Sequence, residues 1–208
     1  MKKKILVACL CVALAVLTVA GTTLAYLTSK AEVKNTFTVG NVKITMDETD
    51  TDDSTRNAER DQANSYKLMP GKEYTKDPII HVDANSENCY LFVTVDNQIA
   101  AIEATGDTAV AKQMEAKGWK AVEGQTNLYV YVGTTAGASD PLAVTKGTNV
   151  AVFEKIVVSD DATNDDLNKV DNKTIVVNAY AVQAEGFTGK TAADIWKATF
   201  GKTSTPTT

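Results

Sequence analysis

Apolar and polar residues alternate with a period of two along much of this chain, the pattern of strands that bury one face. In "AEVKNTFTV" the apolar residues Ala31, Val33, Phe37 and Val39 share odd positions, whereas in "VKITM" Val42, Ile44 and Met46 occupy even ones. The phase flips across Gly40 and Asn41. A bulge or sharp bend there restores one-sided burial, because a one-residue slip otherwise turns every side chain to the wrong face. Further strands are expected over residues 78–82, 89–95, 127–132, 150–158 and 174–182, all rich in Val, Ile, Tyr and Phe. Turn-forming residues separate them at Pro70-Gly71, at Asn85-Ser86, over 133–141 and in "SDDATNDD" from Ser159. This spacing predicts a mainly β fold, an antiparallel β-sandwich.

Two short helices with a 3.6-residue period interrupt the strands, over 108–118 and 191–201. Each ends on a glycine suited to a C-cap, and the second begins on a capping threonine, Thr191. Ile195, Trp196 and Phe200 are the residues expected to dock the second helix on the sandwich. The stretch 47–65, "DETDTDDSTRNAERDQANS", has no apolar residue except Ala58 and Ala63, so it predicts a mobile loop. Its acids invite calcium, but the ligand order, central glycine and closing glutamate of an EF-hand are missing. A solvated acidic loop and no cofactor is the favoured reading, with calcium at this loop as the alternative.

The first 25 residues change the picture, since they carry the three parts of a secretory signal. Lys2, Lys3 and Lys4 form a basic start, an apolar run extends from Ile5 to Ala20, and small residues precede a cut between Ala25 and Tyr26. The alternative is a membrane anchor, but the run of 16 residues falls short of the roughly 20 that a span needs. Contact with a membrane is therefore expected only through the signal, before cleavage. Loss of three lysines takes the formal net charge from −5 to −8, which argues against a nucleic-acid partner. The expected organisation is a signal over 1–25, an N-terminal strand segment over 26–39, one β-sandwich domain over 40–200 and a flexible tail over 201–208. "GKTSTPTT" at the end has neither a sortase motif nor an apolar anchor, so release from the cell, or attachment through other proteins, is expected.

Candidate chemistry is sparse. Cys9 and Cys11 leave with the signal, so Cys89 has no intrachain disulfide partner and reads as a small buried residue in "NCYLFVTV". The single histidine, His81, cannot supply the three ligands of a catalytic zinc, and no HExxH helix, GxSxG turn or phosphate-cradling loop is present. Two carboxylates suffice for a glycosidase, and pattern alone does not exclude that among 26 acids. The residue inventory as a whole is that of a non-catalytic protein.

The opening "TLAYLTSKAEVKNTFTVGNVKI" resembles the start of the TasA/camelysin family of exported bacterial proteins. "LMPGKEYTKDPIIHV", "YLFVTVDN" and "NAYAVQAEGF" are similar to later blocks of the same family, in the same order. The resemblance implies a jelly-roll-like sandwich, processing by a signal peptidase, and a role as subunit of extracellular biofilm matrix fibres built by donation of an N-terminal strand. Camelysin-like members have been classed as metalloproteases, and no protease residue is carried over, because the chain lacks a metal motif.

Cleavage would free a terminus in which Leu27, Ala31 and Val33 alternate with mostly polar residues, a pattern able to complete another subunit's sheet. Leu27, Ala31, Val33, Phe37 and Val39 are the candidate donor positions, and Gly40 and Asn41 the bend behind them. Pairing within the same chain is the alternative. The expected partners are other copies of the chain, with related matrix subunits as an open addition, and the expected location is the extracellular matrix or cell surface. A surface adhesin presenting Tyr129 and Tyr131 to carbohydrate, and a metalloprotease dependent on His81, are the competing functions.

Overall fold

The structure, a computed structural model, describes residues 28–32, 35–38, 42–52, 59–170 and 174–201, the first two stretches by their backbone. In chain order the strands are β1 (Thr28–Glu32), β2 (Asn35–Thr38), β3 (Ile44–Thr49), β4 (Arg60–Asp61), β5 (Glu73–Thr75) and β6 (Ile79–Val82). They continue with β7 (Cys89–Asn97), β8 (Trp119–Ala121), β9 (Leu128–Tyr131), β10 (Ala143–Val144), β11 (Asn149–Ala151), β12 (Lys155–Val157) and β13 (Ile175–Gln183). Among the described residues, three α-helices accompany them: α1 (Val110–Ala116), α2 (Asn164–Lys169) and α3 (Ala192–Phe200). The fold is the expected one, mainly β and antiparallel, with a few short peripheral helices.

A larger sheet runs β2-β1-β13-β7-β9-β8, with β10 also paired to β7. A second sheet runs β11-β6-β3-β4, and β12 pairs with β5 beside it. The core between the sheets takes alternate residues from each: Leu91, Val93 and Val95 from β7 meet Ile44 of β3, Ile80 of β6 and Val150 of β11. β7 departs from strict alternation, since all residues from Cys89 to Val93 are buried. Its other face is covered by α3, where Ile195 is fully buried and Trp196 packs 5.5 Å from Phe92 and 5.0 Å from Tyr180. The run "CYLFV" is thus apolar throughout because this strand is buried on both sides.

Several elements differ from expectation for identifiable reasons. The stretch 150–158 forms two strands, not one: Val152 and Phe153 are adjacent and both fully buried, so the alternation breaks and the chain passes from β11 to β12 between them. "SDDATNDD" contains the start of α2, built on a capping box in which Thr163 and Asp166 satisfy each other's backbone. The short strands β5, β8 and β10 carry too few residues to show a period. The expected strand over 31–39 is a hairpin in which Glu32 stands opposite Asn35 and Lys30 opposite Phe37. The polar Asn35 interrupts the odd-numbered apolar series there, and the reversal pairs the segment with itself.

The stretch 47–65 is not a free loop at its two ends. β3 continues to Thr49, β4 pairs with it, and the Asn64 side chain accepts from Thr51 N–H at 2.6 Å while donating to Thr49 O at 2.8 Å. Side-chain hydrogen bonding replaces the missing apolar burial. The helix-ending glycines also differ from each other. Gly118 has φ +89°, as a left-handed cap requires, whereas Gly201 has φ −75° and is there because a Cβ would lie 2.5 Å from Lys197 O.

Phe153→Ala should destabilise the protein by about 3–5 kcal/mol, because it empties a fully buried site at the crossing between strands. Urea unfolding should show a lowered midpoint at unchanged slope; a midpoint equal to that of the parent would remove Phe153 from the account of the core.

Candidate functional site

The first described strand lies at the edge of the larger sheet's long pair. β1 runs antiparallel to β13 of the same chain, with Thr28 opposite Val182, Ser29 opposite Ala181, Lys30 opposite Tyr180 and Ala31 opposite Ala179. Ala179, Ala181 and Val182 are all fully buried. Of the predicted donor positions, Ala31 therefore stands opposite the buried Ala179, and Phe37 lies in β2 opposite Lys30. Ala25, Tyr26, Leu27, Val33, Val39, Gly40 and Asn41 fall outside the described residues. In the single chain this strand pairs with β13 of the same chain.

β1 covers only part of the β13 edge. Next to the remainder opens a cavity of about 410 Å³. Met46, Leu68, Pro78 and Ile156 form apolar walls, and Ile175 and Val177 of β13 complete them. The polar side holds an ion pair, Lys76 Nζ to Glu48 Oε2 at 2.7 Å, and Asn64, which donates to Glu48 Oε1 at 3.1 Å. Both charged groups are largely buried, 13% exposed for Lys76 and 5% for Glu48, so the pair depends on these close partners. Tyr66 at the rim has its phenol pushed up to about 12, first by burial and further by the charges of Glu48, Asp77 and Asp52 against a hydrogen bond with Thr51. Sequence reasoning missed this cavity, whose walls come from strands far apart in the chain.

Under the outer face of the second sheet, Arg60 closes β4 onto β3 and onto the turn before β6. Its Nε donates to Asp47 Oδ1, Nη1 to Thr49 Oγ1 and Asp77 Oδ2 at 3.1 Å each, and Nη2 to the carbonyls of Asp47 and Asp77 at 3.2 and 3.1 Å. All five guanidinium protons are thereby used. Burial acts to raise the Asp77 carboxyl, but Thr49 N–H at 2.7 Å, the Thr49 hydroxyl and Arg60 outweigh it and hold the group below its ordinary value. His81 belongs to the same layer. Its Nδ1 is 2.8 Å from Asn149 Oδ1, and its Nε2 is 3.0 Å from Asp47 Oδ2, a close polar contact not directed as a hydrogen bond. The arrangement ties strands together and offers no nucleophile.

Asp50, Asp52 and Asp61 bring one carboxylate oxygen each within 4.8 Å of one another. Calcium takes 6–8 oxygens, so these three provide part of a shell. Cys89 is fully buried, and burial pushes its thiol up to about 12, which makes it inert. Tyr129 and Tyr131, named above for carbohydrate, are half-buried against the main core, Tyr131 with its ring edge-on to Trp119 at 5.4 Å. No helix among the described residues is long and apolar enough to cross a membrane.

Comparison with protein-family models, with curated proteins and with solved structures finds no match for this chain.

The Arg60 cluster predicts a pH signature. A carboxyl lowered by folding contributes stability that is present above its unfolded value, about 3.9, and lost as pH falls through the folded one. Asp77→Asn should lower stability at pH 7 by about 1–3 kcal/mol and flatten the loss of stability below about pH 4. Urea midpoints at pH 7 and pH 3 test this, and an unaltered acid limb would contradict it. The Cys89 thiol should resist a thiol reagent at pH 8 in native protein and react fully in denaturant; rapid native labelling would refute its burial.

Proposed function

We propose that the chain is an exported structural subunit of TasA/camelysin type, which forms extracellular matrix fibres by giving its N-terminal strand to a neighbouring copy. The observation that carries this reading is the position of β1: the first described strand is an edge addition to β13, with Ala31 opposite the fully buried Ala179. A strand given to a neighbour forms with that copy's β13 the same bonds that it forms with its own, so exchange preserves native contacts. The donated contact joins unlike surfaces, hence it need not close on itself and extends as a filament.

Signal removal between Ala25 and Tyr26 supplies the switch, because a tethered signal holds back the segment that must move. Signal peptidase is then the processing partner, and the chain acts outside the cell. The reading is non-catalytic. It is supported by a histidine engaged with Asn149 and Asp47 and by a cysteine closed to solvent.

Electron microscopy of the chain beginning at Tyr26, beside the same chain beginning at Thr36, tests the proposal. Filaments from the first and monomers from the second are expected. Monomers from both, or filaments from both, would remove strand donation from the account.

A further inference from the structure

The polar end of the cavity brings an amine, a carboxylate and a primary amide together. Lys76 Nζ donates to Glu48 Oε2 at 2.7 Å and Asn64 Nδ2 to Glu48 Oε1 at 3.1 Å, so one carboxylate of β3 holds both side chains. The far end of the Asn64 amide is held as well. Its Oδ1 accepts from Thr51 N–H at 2.6 Å and from the Thr51 hydroxyl at 2.8 Å, while Nδ2 also donates to Thr49 O at 2.8 Å. These partners fix which end of the amide is the oxygen. Thr51 thus aims two donors at the atom that gains negative charge when a nucleophile attacks the amide carbon. Apolar residues enclose the group, with Met46, Leu68, Ile156 and Val177 lining the same cavity.

A lysine and a glutamate held this deep each bear a desolvation cost as ions. Passage of one proton from Nζ to Oε2 cancels both charges and leaves an amine with a free electron pair, the form in which a lysine is a nucleophile. That amine then shares its carboxylate with an amide whose oxygen already has its two donors in place. Downstream of residue 11 the chain has a single cysteine, Cys89, so no disulfide can staple the exported part. An amide between two side chains would supply a covalent staple without redox chemistry.

We propose that Lys76 and Asn64 are a self-reacting pair that forms an intramolecular isopeptide bond, with Glu48 as proton carrier and Thr51 as oxyanion donor. Nζ passes a proton to Glu48 Oε2, pivots about that oxygen and attacks Asn64 Cγ. The new C–N bond forms as the carbonyl π electrons move onto Oδ1, where the two Thr51 donors hold them. Glu48 delivers its proton to Nδ2 and takes the second proton from Nζ. The electron pair on Oδ1 re-forms the carbonyl, the Cγ–Nδ2 bond breaks, and Nδ2 leaves as ammonia, which takes the remaining proton from Glu48 and departs as ammonium. One ammonium side chain and one primary amide become one secondary amide and free ammonium, with no oxidant, reductant or water consumed. The bond ties the acidic stretch to the segment between β5 and β6, and it forms within one chain, so it is independent of the fibre reading.

Intact mass of the denatured chain beginning at Tyr26 tests this. The expected mass lies below that of the sequence by about 17 Da, one ammonia, and proteolysis should release a branched peptide that joins Lys76 to Asn64. An asparagine that closes on its own backbone loses the same mass, so Lys76→Arg is the control: it keeps a positive charge beside Glu48, cannot attack the amide and should retain the ammonia. Glu48→Gln, which cannot carry the proton, should also show its full sequence mass. The branched peptide is read in the parent chain and does not depend on either variant folding. A parent chain at full sequence mass would overturn the proposal, as would an ammonia loss that persists in Lys76→Arg or maps to a peptide without Lys76.

Discussion

The pairing of β7 with β13 is the constraint on which the rest of the molecule hangs. Nine consecutive residue pairs join the two strands, from Ile175–Asn97 to Gln183–Cys89. One face of the pair, with Leu91, Val93, Val177, Ala179 and Ala181, closes the core against the second sheet, while Phe92 and Val182 on the other face receive α3.

 The long edge left by β13 is what a further strand must fill. β1 fills its upper half from within the chain, and the small side chains of Ala179 and Ala181 allow a close approach there.

Much of this frame was legible in the sequence, and the exceptions share a cause. Strands β6, β7, β9 and β13 announce themselves because each has four or more residues with a buried face, enough for a period to show. α3 is legible from Thr191 and from the apolar spacing of Ile195 and Phe200. The short strands β5, β8 and β10 were not, because two or three residues carry no periodicity and pairing alone defines them. Nor were the ordered ends of the acidic stretch, where Asn64 and Arg60 substitute hydrogen bonds for apolar burial.

The candidate site divides in the same way. Alternation marked the N-terminal segment as strand-forming, and Ala31 pairs with Ala179 of β13. The hairpin turned on the single interruption at Asn35, a signal too local to weigh against the apolar residues around it. The cavity was invisible from sequence, since Met46, Lys76, Ile156 and Val177 meet only after both sheets have formed. On the proposed reading, the part of the β13 edge that β1 fills within the chain is the part that the N-terminal strand of a neighbouring copy takes in the fibre. Stability and assembly then draw on the same backbone bonds, and the order of events is set by when the N-terminal segment is released.

The most direct test of strand exchange is solid-state NMR on filaments grown from an equal mixture of two differently labelled pools of the chain, read at Ala31 and Ala179. The account predicts an Ala31–Ala179 contact between chains from different pools. A contact found only within single chains would contradict it.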